Sequence, residues 1–240
     1  MAYLGRRVAI VTGAGSGIGE ATSRSLAAAG MRVTLVGRRV DRLENVATEI
    51  RSEGGESFVE PGDIRDFGAF EAIVARTCER WGRIDVLVAC AGAVEQSRIS
   101  EGDPARWRNV LDTNIMGGLN SIRAALPRMH EQAQGHIVIV SSVSGRVTYV
   151  GEPAYVASKH ALVALGECLR QELVGTGIRV TLIEPALVAT EFSNTEFVRT
   201  KFRDVVPLSP AAVAGSILFA LEQPQEVTVS EIVIRPSNQL

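Results

Sequence analysis

The chain has 240 residues, 46% of them hydrophobic and 22% charged, which predicts one domain with a full apolar core. Its formal net charge of -2 gives no positive surface excess for binding nucleic acid or an anionic membrane. Three scattered cysteines, Cys78, Cys90 and Cys168, form no CxxC pair, which argues against a disulfide scaffold and a zinc site and suits a reducing cytosol.

Short apolar segments alternate with longer helix-like segments along the chain. Consecutive Val, Ile and Leu residues are typical of strands that are buried on both faces of a parallel sheet. The predicted strands are 7–12, 32–36, 56–60, 84–89, 136–141, 179–184 and 231–235. The predicted helices are 17–29, 41–53, 67–81, 104–132, 153–174 and 210–221.

This β–α order predicts one α/β domain over residues 1–240. We expect a Rossmann-type, doubly wound, parallel sheet of seven strands with helices on both faces. Residues 186–209 are the exception, because they are long and poorly periodic. A loop of that length in a compact domain is usually a lid or a binding element, so we expect it to contact the substrate.

The first predicted strand ends in a glycine-rich turn that leads directly into a helix. Gly13, Gly17 and Gly19 have the spacing Gly-x-x-x-Gly-x-Gly. Glycines let the backbone turn tightly and let a phosphate approach bare N–H groups at the positive end of a helix. The turn therefore predicts a dinucleotide site, with a turn that binds no ligand as the alternative.

The end of the second strand indicates which dinucleotide binds. A carboxylate there would accept hydrogen bonds from the ribose of NAD and repel a 2′-phosphate. The sequence has Arg38 and Arg39 instead, and guanidinium groups clamp phosphate, so NADP is favoured over NAD. The alternative is that both arginines only solvate the next helix, which Asp41 is expected to cap. After the third strand, Asp63 either meets the adenine edge or only shapes a turn.

Tyr155 and Lys159 are four residues apart in a predicted helix, so their side chains share one face. A free tyrosine has a pKa of about 10, too high for acid–base catalysis at neutral pH. Because an adjacent ammonium favours the phenolate, we expect Lys159 to lower the pKa of Tyr155. Ser142 ends a strand at the carboxyl edge of the sheet, where it could donate a hydrogen bond to a carbonyl. A Tyr–Lys pair at this spacing is, by itself, more often a surface or packing feature, and a serine that only caps a turn is the alternative for Ser141 and Ser144.

Together these motifs resemble the short-chain dehydrogenase/reductase family. The glycine turn, Ser142 thirteen residues before Tyr155, and the Tyr-x-x-x-Lys pattern form a specific combination, and the resemblance covers essentially the entire chain. It implies that Ser142 polarises a carbonyl, Tyr155 exchanges the proton, and Lys159 lowers the pKa of Tyr155 and binds the nicotinamide ribose. It further implies that Asn114 holds a proton-relay water, which completes the predicted catalytic set.

The resemblance also extends the predicted NADP(H) site, since Val188 and Thr190 would meet the nicotinamide amide. The predicted cofactor-binding residues are Gly13, Gly15, Ser16, Gly17, Ile18, Gly19, Arg38, Arg39, Asp63, Ile64, Ala91, Gly92, Tyr155, Lys159, Pro185, Val188 and Thr190. Two positions depart from the family pattern. Cys90 replaces an asparagine, so a contact with the adenosine ribose would be through the backbone only. Ala186 replaces a glycine after Pro185, and its methyl group could shift the loop.

The predicted function is NADP(H)-dependent interconversion of a small polar alcohol and its ketone or aldehyde. Residues 190–194 and 231–236 resemble a branch that contains 3-hydroxy-acid, serine and clavulanate-type dehydrogenases. Four basic residues are candidates for pairing with a substrate carboxylate, and ordinary solvated charge is the alternative for each: Arg146, Arg199, Lys201 and Arg203.

Two other functions fit the same fold. A catalytically silent NADP-sensing protein would not need Asn114, Ser142, Tyr155 and Lys159 together. A nucleotide-sugar epimerase or dehydratase usually has a larger carboxyl-terminal region than the twenty or so residues after Leu221.

The expected partners are a small-molecule substrate and further copies of the chain. By the resemblance, helices 104–132 and 153–174 would pair in a homotetramer or a dimer. No apolar stretch approaches the ~20 residues that span a bilayer, and no signal peptide is recognisable, so we expect a cytoplasmic protein. We expect no metal site, because His130, His136 and His160 are isolated from one another.

Overall fold

The computed structural model describes residues 4–239 and is built around a parallel sheet. Its strands are β1 (Val8–Thr12), β2 (Arg32–Gly37), β3 (Glu56–Pro61), β4 (Val86–Ala89), β5 (Gly135–Val140), β6 (Ile178–Pro185) and β7 (Glu231–Ile234). The described strands lie in the order β3-β2-β1-β4-β5-β6-β7, and every neighbouring pair is parallel. The strands before β4 are added on one side of β1, and those from β4 onward on the other side. Ligands of open α/β sheets bind at the point where the strand order changes in this way. The predicted seven-stranded, doubly wound sheet is confirmed.

Helices cover both faces of this sheet. They are α1 (Gly17–Ala28), α2 (Val40–Ser52), α3 (Phe67–Trp81), α4 (Pro104–Leu111), α5 (Gly117–Glu131), α6 (Pro153–Glu172), α7 (Glu196–Lys201) and α8 (Pro210–Leu221). Within residues 4–239, no helix combines the length and the apolar character that crossing a membrane requires.

The central strands are apolar at consecutive positions because each of their faces meets a core. In β4, Val86 and Val88 belong to the core that contains side chains of α1, α2 and α8. Leu87, between them, belongs to the core on the opposite face, with side chains of α3, α5 and α6. Burying one such side chain contributes about 1.5–3 kcal/mol, so the paired cores fix where the strand ends lie.

The predicted helix 104–132 is interrupted at its centre. Helix α4 passes into a π-helical turn, Asp112–Met116, before α5 begins. The N–H of Gly117 bonds to the carbonyl oxygen of Asp112, five residues earlier. Such turns frequently occur at functional sites, and this one contains Asn114.

Residues 186–209, called the substrate loop below, are more ordered than their pattern indicates. A parallel bridge between Val188 and Leu208 closes the base of the loop. Above it lie a 3-10 turn (Glu191–Ser193) and α7, which begins where the Thr195 hydroxyl accepts a hydrogen bond from the N–H of Val198 at 3.2 Å. A six-residue helix is too short to give a clear period, which explains why the sequence does not show it.

Candidate active site

The carboxyl ends of the central strands open into a cavity of about 480 Å³. Every residue predicted to bind the cofactor, from Gly13 to Thr190, lines this cavity, and so does Ser142. The structure therefore brings the predicted cofactor and reacting residues into one cleft. Asn114 is buried behind the cavity wall, with 2% of its surface exposed.

Backbone proximity explains the glycines of the first turn. Gly13 has a φ of +70°, and a Cβ atom built there would lie 2.9 Å from the Cα atom of Ala91. A Cβ atom on Gly19 would collide with the carbonyl oxygen of Gly13. The Thr12 hydroxyl accepts hydrogen bonds from the N–H groups of Cys90 and Ala91, both at 3.0 Å, which joins the turn to the end of β4. The result is a bare backbone cradle at the N-terminus of α1.

Arg38 and Arg39 lie at the end of β2 and both line the cavity. Arg39 donates from Nη2 to the Ser16 hydroxyl at 2.9 Å, so it already faces the glycine turn. Its Nη1 lies 3.0 Å from Oε2 of Glu191, and Arg42 lies 3.6 Å from the other oxygen of that carboxylate. A substrate-loop carboxylate therefore shares the Arg39 guanidinium with the predicted phosphate site.

Two acidic residues near the nucleotide end have structural roles. Asp41 lies inside the first turn of α2 and Arg39 is the N-cap residue, so the expected cap is wrong. The Asp63 carboxylate accepts a hydrogen bond from the N–H of Arg65 at 3.0 Å and pairs with its guanidinium. Because Arg65 donates these bonds, the pKa of Asp63 is lowered. Asp63 thus shapes the turn and also lines the cavity, and its contact with adenine stays a prediction.

Ser142, Tyr155 and Lys159 all line the cavity that contains the glycine turn. The Ser142 hydroxyl donates to the carbonyl oxygen of Pro185 at 3.2 Å and accepts from the N–H of Ser144 at 3.1 Å. The Lys159 ammonium donates to the carbonyl oxygen of Val140 at 3.0 Å and lies 5.6 Å from the centre of the Tyr155 ring.

Burial, rather than the predicted influence of Lys159, dominates the pKa of Tyr155 in this arrangement, and a lowering by Lys159 stays a prediction. Burial raises the pKa of Tyr155 to about 12, and the nearby charge of Glu152 raises it further, while the hydrogen bond with Ser142 lowers it. Burial also lowers the pKa of Lys159 to about 8. Loss of hydration therefore dominates both groups, and the phenol is in its neutral form at physiological pH.

Asn114 uses its amide to connect two parts of the site. Its Oδ1 accepts from the N–H of Ala93 at 2.7 Å, and its Nδ2 donates to the carbonyl oxygen of Ala93 at 3.0 Å and to the Ser158 hydroxyl at 2.9 Å. These bonds attach the segment after β4 to α6, which carries Tyr155 and Lys159. The side chain thus supports the site, and binding of a relay water by this residue stays a prediction.

Comparison with known proteins gives the family. The family model described as short chain dehydrogenase matches residues 7–200. The chain belongs to this family. An uncharacterised oxidoreductase of Staphylococcus saprophyticus is 38% identical, over 98% of this chain and 100% of its own length.

Solved structures of similar proteins agree with this assignment. The closed form of a serine dehydrogenase complexed with NADP+ is 32% identical, with a TM-score of 0.91 over 97% of this chain and 96% of that one. A variant of actinorhodin polyketide ketoreductase with NADPH is 31% identical, with a TM-score of 0.89 over 98% of each chain.

This short-chain dehydrogenase accommodates its two departures without disrupting the site. Burial raises the pKa of the Cys90 thiol to about 12, so it remains a neutral side chain, and its N–H is bound by Thr12. The N–H of Ala186 donates to the carbonyl oxygen of Ile234 at 2.9 Å, which keeps the start of the substrate loop on β7.

The structure contradicts the substrate role considered for Arg146. Its guanidinium pairs with the fully buried Glu184 and with Glu231, and it does not line the cavity. Arg199 donates to Asn194 at 3.1 Å. Arg203 pairs with Asp204, also outside the cavity. Of the four basic candidates, only Lys201 lies against cavity-lining side chains.

Sequence reasoning missed Gln96 and Glu152, which line the cavity together with Tyr149 and Phe202. Glu152 could have been found, because it directly precedes α6 and lies three residues before Tyr155. Gln96 belongs to an irregular segment after β4 and carries no local signal. Within residues 4–239, no group of three or more His, Cys, Asp or Glu side chains is arranged to hold a metal ion.

Proposed function

We propose that the protein catalyses reversible hydride transfer between NADP(H) and a small polar alcohol or its carbonyl compound. The observation that carries this proposal is the shared cavity, which joins the glycine turn and two arginines to Ser142, Tyr155 and Lys159. The serine dehydrogenase with NADP+ and the ketoreductase with NADPH support the same reaction class.

The residues present fit a dinucleotide with a 2′-phosphate. The pyrophosphate would lie on the bare backbone of the first turn, where a Cβ atom at Gly13 or Gly19 would meet backbone atoms. Arg38 and Arg39 would hold the 2′-phosphate, and Val188 and Thr190 would lie beside the nicotinamide. When bound, NADPH supplies the hydride and NADP+ accepts it.

Burial gives Tyr155 its role in the reduction. Because its pKa is about 12, the phenol retains its proton at neutral pH and can donate it to the carbonyl oxygen as the carbon is reduced. Ser142 would turn its hydroxyl from Pro185 to that oxygen and polarise the carbonyl. Lys159, held by the carbonyl of Val140, would bind the ribose and stabilise the phenolate left after proton transfer.

We extend the proposal to assembly and location. Leu111 and Met116, at the break between α4 and α5, are 36% and 50% exposed and would be covered in a homo-oligomer. Sedimentation that shows only monomer at micromolar concentration would contradict self-association. A cytoplasmic location follows from the same proposal, because NADP(H) is an intracellular cofactor.

A panel of polar aldehydes and ketones, assayed in parallel with NADPH and NADH, tests this function. We expect turnover with NADPH and a clear preference for it over NADH. A preference for NADH would contradict the roles of Arg38 and Arg39. Tight NADPH binding without turnover of any carbonyl would favour the silent sensor instead.

A further inference from the structure

An aromatic cage formed by Tyr149, Phe197 and Phe202 surrounds the Lys201 ammonium, and Tyr149 and Phe202 also line the substrate end of the cavity. The Lys201 ammonium lies 4.1 Å from the ring centre of Tyr149, 5.2 Å from that of Phe197 and 5.3 Å from that of Phe202. An ammonium within about 6 Å of an aromatic ring centre is attracted to the face of the ring. The cage is therefore already shaped to hold an alkylammonium group.

Glu152 supplies a carboxylate next to this cage. The residue is only 8% exposed, and its Oε1 accepts a hydrogen bond from Gln96 at 3.3 Å. Gln96 is in turn held by the Thr195 hydroxyl at 2.8 Å. The other oxygen, Oε2, lies 3.9 Å from the Lys201 ammonium, which is too long for a hydrogen bond. Because a buried carboxylate is costly without a close cation, this position favours a second, better-placed positive charge.

The cage and the carboxylate lie beside the reacting group. Tyr149, Glu152 and Phe202 line the same cavity as Tyr155, and the charge of Glu152 acts on the Tyr155 phenol. A cation bound here would thus place an attached carbonyl close to Tyr155. Once Lys201 is displaced, the Glu152 carboxylate faces this end of the cavity without that ammonium and would repel a substrate carboxylate.

We propose that Glu152 and the aromatic cage form a specificity site for carbonyl or alcohol substrates that carry an alkylated ammonium group. Lys201 is the internal occupant that such a substrate displaces. This inference rests on the proposed function for the reaction itself. An alkylated ammonium is favoured because it is weakly hydrated, so it loses little hydration free energy when it contacts the aromatic rings. Lys201 can leave because it is the last residue of a short surface helix, with 25% of its side chain exposed.

Calorimetric titration tests the site without relying on turnover. The protein is saturated with NADPH, with which an alcohol cannot react, and is titrated with choline or with its neutral carbon isostere, dimethylbutanol. We expect choline to bind about 10- to 30-fold more tightly than the isostere. Equal binding of the two alcohols would overturn the proposal.

Two variants should shift choline binding in opposite directions. Glu152→Gln keeps the shape of the side chain but removes its charge, so the advantage of choline over dimethylbutanol should disappear. Lys201→Met removes the competing ammonium, so choline should bind more tightly, and its affinity should rise by a larger factor than that of dimethylbutanol. Arg199→Met, on the same helix but away from the cage, is the matched control and should change neither.

If Glu152→Gln does not fold, Tyr149→Leu tests the same site by removing one ring of the cage. This variant should weaken choline binding about tenfold. Choline binding that neither Glu152→Gln nor Tyr149→Leu alters would also overturn the site.

Turnover separates this inference from the function on which it rests. With NADPH, betaine aldehyde should be reduced with a higher kcat/KM than its carbon isostere, dimethylbutanal. Equal kcat/KM values for the two aldehydes would leave the reductase function intact and overturn the specificity site. Choline-selective binding without reduction of either aldehyde would leave the specificity site intact and overturn the reductase function.

Discussion

The cofactor end and the substrate end of the cavity are made in different ways. The cofactor end is mainly backbone, with glycines whose missing Cβ atoms leave room for close contact and a helix N-terminus behind them. The substrate end consists of side chains from separate segments, such as Gln96, Glu152 and Phe202. Backbone geometry tolerates few residue types, whereas a side-chain pocket can change its chemistry by single substitutions. The same fold can therefore keep one cofactor while its substrate changes.

Removing the Tyr155 hydroxyl, which lies where the two ends of the cavity meet, should have the largest effect on activity. Tyr155→Phe deletes the proton donor, so kcat for carbonyl reduction should fall about 10²- to 10⁴-fold while NADPH affinity is kept. Steady-state kinetics with NADPH and calorimetric binding measure the two quantities. A variant that keeps more than a tenth of wild-type kcat would show that another group supplies the proton.

Ultraviolet titration of the wild type and of Tyr155→Phe measures how burial changes the pKa of Tyr155. Subtracting the titration curve of Tyr155→Phe from that of the wild type should reveal one tyrosine with a pKa of about 12. This pKa lies above that of free tyrosine because burial disfavours the phenolate. Saturating NADP+ should move that ionisation to lower pH, because the oxidised nicotinamide is positively charged. A titration midpoint below the free value of about 10 without nucleotide would contradict the effect of burial.

Arg146 joins the segment after β5 to β6 and β7, outside the cavity. Arg146→Met leaves the fully buried Glu184 without its close cation, so the free energy of unfolding should fall by about 1–3 kcal/mol. Chemical denaturation measures this change, with Arg203→Met, which removes an exposed charge, as the control. A change in KM for carboxylate substrates without loss of stability would instead show that Arg146 binds the substrate carboxylate.

The smallest effect concerns the phosphate at the cofactor end. Glu191→Gln removes the carboxylate that pairs with Arg39 and Arg42, so NADPH should bind about two- to fivefold more tightly and NADH should be unaffected. Fluorescence titration with both nucleotides measures the difference, and Glu196→Gln, on the same loop, is the control. Weaker NADPH binding would mean that Glu191 orients the arginine and does not compete with phosphate.

Local patterns predicted the sheet, the glycine turn and the Tyr–Lys pair, because each depends on residues that are close in sequence. Strand β1 is predicted as 7–12 and lies at Val8–Thr12. The π-helical turn was missed because it keeps nearly the apolar period of the helices on either side. The partners of Arg146 were also missed, since Glu184 and Glu231 are 38 and 85 positions away and only the completed sheet brings them together.

The ion pair between Arg39 and Glu191 joins the proposed phosphate site to the substrate loop. A phosphate that binds Arg39 would break this exposed pair, and nucleotide binding would then change the free energy of loop opening by about 0–1 kcal/mol. Linkage is reciprocal, and any molecule that fixes the loop in its paired position must weaken NADP(H) binding by the same factor. NAD(H), which lacks the 2′-phosphate, would leave the ion pair intact and would show no such coupling.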